Sequence, residues 1–212
     1  MKSSFREFGS CFGVNYSSAH SNHPMSTIFT HPLVPITIGV SINALTSWRG
    51  QSSLIPTKLI ALGCLFAVLP DLDVIGFELG VSYWSEFGHR GFTHSIFFAF
   101  VSACLVSVWL ARYEIKATTA IVFLTISMAS HGLLDSMTYG GLGVAFWWPI
   151  DHGREFFPWR NLPVSPIGVR RFFNPWGMYV MKRELYLVWL PLGLCMAVSL
   201  LTGRYLSWRM KD

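Results

Sequence analysis

The sequence predicts an all-α protein, a multi-pass transmembrane bundle of about four to five helices with one long interfacial loop. Three observations predict it. Hydrophobic residues make up 52% of the 212 residues and charged residues only 13%, against about 25% charged in soluble domains. The mean hydropathy is +0.44, so the chain has too little polar surface to cover itself. Nine Trp and seven Tyr supply amphipathic rings that favour the membrane interface.

The remaining composition narrows the class. The formal net charge is +5, and the Lys and Arg residues flank apolar segments, where they meet anionic head groups. No basic run is interleaved with aromatics, so no direct nucleic-acid partner is expected. Of the four cysteines, Cys64, Cys104 and Cys195 lie in apolar stretches and Cys11 in a polar one. There is no CxxC spacing, which argues against a disulfide framework and a cysteine metal site.

Residues 1–24 are polar, Ser-rich and without helical periodicity, and they lack the apolar core of a signal peptide. They read as a tail, or as sequence upstream of a functional start at Met25. Residues 25–212 read as one membrane-embedded domain. Its first apolar stretch, from about His31 to Trp48, carries Pro35 in its first turn, where proline is tolerated. The second runs from about Leu54 to Leu69, with Lys58 near one end. The third is Thr93 to Ala111, the fourth Ala117 to about Met137, the fifth Leu185 to Gly203. A spanning helix needs about 20 apolar residues. The last three meet this, whereas the first two suit short, tilted or buried helices. Between the fourth and fifth, Thr138 to Glu184 is rich in Gly, Pro and aromatics. It reads as a loop at the interface, long enough to cover a site.

The ionisable residues gather at the ends of these stretches. His31 opens the first. Asp71 and Asp73 close the second, in LPDLD. His89 and His94 open the third, in HRGFTHS, and His131 and Asp135 lie in the last turns of the fourth. If consecutive stretches alternate direction across a bilayer, all seven groups fall at one membrane surface. Ionisable groups at an apolar boundary need partners, and His with carboxylate suits a divalent metal. His131 and Asp135 are spaced i, i+4 and share a helix face. With Thr93 as the helix cap, His89 lies in the loop and His94 in the first turn. Alone, an HxxxD pair is more often a structural polar contact, and a DxD after proline more often a turn. Their convergence makes the site. Arg90, Arg154, Arg160, Arg170 and Arg171 flank the same face, for head groups or for a phosphate of a substrate. His20, His23 and His152 have no such context.

Taken together, LPDLD, HRGFTHS and SHGLLDSMTYGGLGVAFWWP resemble the YdjM-type family of membrane-bound metal-dependent hydrolases, also described as LexA-binding inner-membrane proteins. Phe29-Thr30-His31-Pro32 is similar to that family's N-terminus. The resemblance spans roughly residues 25 to 170. It implies a bacterial inner-membrane hydrolase, with a LexA-type regulator as a protein partner. A looser likeness to zinc-dependent phospholipases C stops short of their processed N-terminal tryptophan ligand.

These readings yield two expectations. The first is an enzyme. One or two divalent ions, zinc first and manganese or magnesium as alternatives, are held by His31, Asp71, Asp73, His89, His94, His131 and Asp135. A metal-activated water attacks a phosphoester or other ester of a lipid-related substrate, with Asp73 as general base and His94 also assigned to catalysis. The location implies membrane lipid as a partner and a lipid-linked substrate. The second is a non-enzymatic membrane adaptor in which the same residues form a structural metal clip. A polar transporter site is disfavoured, because the ionisable residues sit at segment ends and no internal repeat is evident.

Overall fold

The computed structural model describes residues 27–49, 53–165 and 174–210. The expectations for residues 1–24 and for Met25 lie outside them. The described residues form helices, turns and loops, with two isolated β-bridges and no strand.

The main helices are α1 (Leu33–Thr46), α2 (Thr57–Phe66), α3 (Ile96–Leu110), α4 (Ala117–Ser136), α5 (Pro175–Glu184) and α6 (Leu190–Arg209). Four helical runs are long and apolar enough to cross a membrane: Thr57–Glu78, Ile96–Tyr113, Ala117–Ser136 and Pro175–Arg209. The first is α2 prolonged by a 3-10 segment (Leu69–Val74) and a single helical turn (Ile75–Glu78). The last joins α5 to α6 through a π-helical turn (Leu185–Trp189). With 14 residues, α1 extends only about 21 Å, short of the ~30 Å hydrocarbon core. It is the short, packed helix that the first apolar stretch suggests.

Helix α4 is the centre. It packs against α3, α2 and α1, and α6 lies along α1. Between helices in lipid, close packing of small residues does the work that water exclusion does elsewhere. Ala99, Ala103 and Ser107, at four-residue spacing, bury one stripe of α3. Ala120, Phe123, Leu124, Ser127 and Met128 bury the opposing length of α4. At the α1–α6 crossing a Cβ on Gly203 would stand 2.1 Å from the Ala44 carbonyl oxygen, so only glycine permits that approach. The outward faces remain apolar: Leu105, Val108 and Trp109 on α3, and Leu194, Val198 and Leu201 on α6, are exposed, a surface suited to lipid.

Two boundaries differ from the sequence reading. Ser95, not Thr93, caps α3: its hydroxyl accepts from the Phe98 amide at 3.0 Å. Thr93 and His94 lie in a preceding 3-10 turn, Phe92–His94. The long loop also ends ten residues sooner than Glu184 suggests. Asn174 caps α5, accepting from Gly177 N at 2.8 Å, with Pro175 at the first helical position. Proline is favoured there because the missing N–H would be unpaired anyway. Pro175 thus starts a helix inside the stretch that reads as loop.

The loop after α4 is tied down. Thr138 bridges Leu162 and Val144 bridges Glu155. Ala145 N donates to the Arg90 carbonyl at 3.0 Å, and Ile96 N donates to the Phe146 carbonyl at 3.1 Å. These bonds lay the loop over the HRGFTHS backbone.

Candidate metal centre

Four parts of the chain deliver the site. His31 precedes α1 by two residues. Asp71 and Asp73 stand on the 3-10 segment after α2. His89 and His94 come from the turns before α3, and His131 and Asp135 from the end of α4. All seven side chains meet, each 7% exposed or less.

Four atoms form the heart of the cluster. His94 Nε2 and His131 Nε2 face each other at 3.1 Å. Asp71 Oδ1 is 3.2 Å from His131 Nε2 and 4.0 Å from His94 Nε2. Asp135 Oδ2 is 3.7 Å from His94 Nε2 and 3.8 Å from His131 Nε2. Donors around a four-coordinate zinc stand about 3.3 Å apart, given bonds of 2.0–2.1 Å. The observed spacings bracket that value.

The outer contacts fix which nitrogens carry protons. His131 Nδ1 lies 2.7 Å from the Ala67 carbonyl, a pure acceptor, so Nδ1 bears the hydrogen and Nε2 the lone pair. Thr93 Oγ1 donates to Asp73 Oδ2 at 2.8 Å and stands 3.0 Å from His94 Nδ1. That assigns the hydrogen of His94 to Nδ1 and its lone pair to Nε2. With His94 neutral, two imidazole lone pairs oppose each other at 3.1 Å beside a carboxylate, so the gap between the two nitrogens takes either a proton or a cation. Both Asp71 oxygens are buried without a hydrogen-bond partner. Orphaned buried acceptors of this kind are costly unless an ion completes them. The residues therefore fit a divalent metal.

Asp73 stands behind the histidines. Its Oδ1 is 2.8 Å from His89 Nδ1, and its Oδ2 is 3.3 Å from His94 Nδ1. This is the place of a carboxylate that fixes ligand tautomers from outside the coordination sphere. Asp73 is absent from two overlapping sets of donors close enough together for an ion, Asp71, His89, His94 and Asp135, and His31, His131 and Asp135.

Arg90 and Glu184 extend the site. Arg90 is fully buried, with Nε 3.2 Å from Asp135 Oδ2. Its guanidinium also donates to the Gly140 and Leu142 carbonyls and to Thr138 Oγ1, so it clamps the loop onto the centre. Arg90 has φ of 64°, a conformation costly for a residue with a side chain and held only by its surroundings. Arg154 donates to the carbonyls of His89, Tyr83 and Ser85, and the Arg160 guanidinium lies over the Phe156 ring. These two bind protein in the structure, and Arg170 and Arg171 lie outside the described residues. His152 pairs with Glu86 at the surface, away from the centre; His20 and His23 are also outside the described residues.

Sequence reasoning passed over Glu184. Buried at the end of α5, it accepts from Thr27 N at 2.9 Å, from Thr30 Oγ1 at 2.6 Å and from Thr27 Oγ1. Trp189 Nε1 donates to Thr30 Oγ1 at 2.7 Å. This knot holds the lead into His31. The signal was present, a lone acid at the head of an apolar run, but its partners lie more than 150 residues away.

Protonation follows the same contacts. Burial alone would depress His94, yet the carboxylates of Asp135 and Asp73 carry it up to about 9. His31 goes the other way, to about 3, first through burial and then through the adjacent His131 ring.

The profile of the YdjM inner membrane protein family matches residues 25–208. Inner membrane protein YbcI of Escherichia coli (strain K12) is 43% identical over 169 residues, covering 79% of this chain and 92% of that protein. Uncharacterized protein YvsG of Bacillus subtilis (strain 168) is 32% identical over 98 residues, covering 43% of this chain and 58% of that protein. No solved structure matches.

Proposed function

The chain belongs to the YdjM inner membrane protein family, and on that footing we propose that it is a metal-dependent hydrolase of a phosphoester or other ester in a lipid-related substrate. It is a multi-pass protein of the bacterial inner membrane. The observation that carries the reading is the pair of imidazole nitrogens, His94 Nε2 and His131 Nε2, that face each other at 3.1 Å beside Asp71 and Asp135.

Asp71, His94, His131 and Asp135 would hold the ion. Two imidazoles and two carboxylates suit zinc, and in six-coordinate form manganese or magnesium. When bound, such an ion supplies Lewis acidity and water that is acidic near neutral pH. The chain's own residues do the rest. His89 and Asp73 form a dyad: Asp73 holds Nδ1 at 2.8 Å, so the bare Nε2 faces inward as a proton acceptor. The attacking water gives its proton to His89 Nε2 as its oxygen bonds to the ester centre. The departing alcohol takes that proton back. Asp73 stabilises the imidazolium between the two transfers. Arg90 holds Asp135 in place.

Metal analysis of purified protein, paired with assays on phospholipid and synthetic ester substrates, tests this. The expected result is bound divalent metal and a hydrolysis that both disappear in His131→Ala and Asp135→Ala. Protein that binds no divalent ion overturns the reading.

The burial of every site side chain favours a second reading, a structural clip that fastens the ends of α2 and α4 to the turns before α1 and α3. A regulator of the LexA type is the partner implied for such an adaptor. Metal removal would then unfold the bundle while no ester is turned over by the loaded protein.

A further inference from the structure

We infer that the centre takes two ions, with Asp135 as the carboxylate between them and His31 as the ligand that belongs to the second. This rests on the metal reading above and deepens it.

An imidazole donates along its own plane, so two histidines on one ion must have planes and nitrogens that converge. His94 and His131 do: their rings are inclined at 67°, with centroids 4.8 Å apart, and their Nε2 atoms meet at 3.1 Å. Two rings with ~2.1 Å bonds to one ion, splayed at about 90–110°, have centroids about 4.5–5.2 Å apart. His31 and His131 do not converge. Their rings are stacked, 21° from parallel with centroids 3.8 Å apart. Lone pairs in two stacked planes run side by side, and each aims at its own point. His31 therefore does not complete the His94–His131 ion.

Asp135 connects the two points. Its Oδ2 faces His94 Nε2 and His131 Nε2 at 3.7 and 3.8 Å, while its Oδ1 faces His31 Nε2 at 3.9 Å. Asp135 belongs to both of the compact donor sets, and His131 stands in the set that holds His31. A stacking distance of 3.8 Å also matches the ~3.5–4 Å between the ions of two-metal hydrolytic centres, which clamp the attacking and leaving oxygens together. The His31 side has fewer protein donors, so its ion is the weaker and more exchangeable.

The test uses the full chain in detergent, stripped with chelator and titrated with Mn²⁺ alone. Bound metal is counted after equilibrium dialysis, and electron paramagnetic resonance reports whether the ions are spin-coupled. Two ions per chain in two steps, with a coupled signal at saturation, is expected. His31→Ala should fall to one ion with an uncoupled signal while keeping its helical circular dichroism. Saturation of the parent chain at one ion, or a coupled pair surviving in His31→Ala, overturns the proposal and leaves the metal reading standing. No bound ion overturns both. The count on the parent chain decides the matter even where the variant does not fold.

Discussion

His131 Nε2 lies 3.1 Å from His94 Nε2, across the junction between the end of α4 and the turn that introduces α3. His131 is pinned from behind by the Ala67 carbonyl and His94 by the Asp73 and Thr93 side chains. Neither ring can turn its bare nitrogen away without giving up a buried hydrogen bond. Removing one of the pair should therefore cost more than one ligand. His94→Ala and His131→Ala are each expected to abolish tight metal binding, and adding the second substitution should change little further. Metal content after dialysis, measured on the two single variants and the double variant, checks this.

Asp73 acts through the histidines. Asp73→Asn keeps the shape but loses the charge that holds His89 and His94 in their tautomers. Metal affinity should drop about 10–100-fold, the usual cost of losing an outer-shell partner. Hydrolysis should drop further, since the same change removes the partner of His89. A competition titration with a chromogenic chelator gives the first number, and turnover at saturating metal gives the second.

In the absence of metal the carboxylates of Asp135 and Asp73 push His94 up to about 9 from its ordinary 6.5, against the effect of burial. Its protonated form is thus favoured by folding. That contribution is complete below about pH 6.5 and is lost as pH rises through 9. A metal ion competes with the same proton for Nε2, so affinity should rise with pH up to about 9, and loading at pH 7 should release close to one proton from His94. Calorimetry in two buffers of different ionisation enthalpy measures the proton count. No buffer dependence at pH 7 would contradict it.

Arg90 and Asp135 form a fully buried ion pair at 3.2 Å. Breaking such a pair from one side leaves an unpaired charge and costs about 3–5 kcal/mol. Arg90→Met should lower the thermal midpoint strongly in metal-free protein. Saturating metal should recover part of that loss, because the ion neutralises the same carboxylate. Thermal unfolding in detergent, with and without metal, reads both effects.

Glu184 tests the two-ion arrangement from a distance. Glu184→Gln cannot accept as strongly from Thr27 and Thr30, and His31 follows Thr30 directly. The weaker of two binding steps should weaken while the tighter step stays unchanged. The Mn²⁺ titration resolves the two. Equal loss in both steps would show that the knot serves the fold at large.

The chain's class and the gathering of its seven ionisable side chains were legible in the sequence, because both follow from one-dimensional facts. Apolar stretches of spanning length must cross a bilayer, and alternating direction sends their polar ends to a common side. The positions of His31, Asp71, His94 and His131 could be listed on that argument alone. Which atoms face the ion could not. Asp71 and Asp73 are two residues apart in LPDLD, yet one enters the cluster and the other stands behind it. That division comes from the 3-10 winding of Leu69–Val74 and from the nitrogens presented to it. Arg90 took its role from a positive φ and from carbonyls about fifty residues away. Glu184 took its own from threonines at the far end of the chain. Periodicity and hydropathy report how a segment meets its solvent. Coordination depends on direction over a few ångströms, and direction at this centre is set by packing among four segments that the sequence holds far apart.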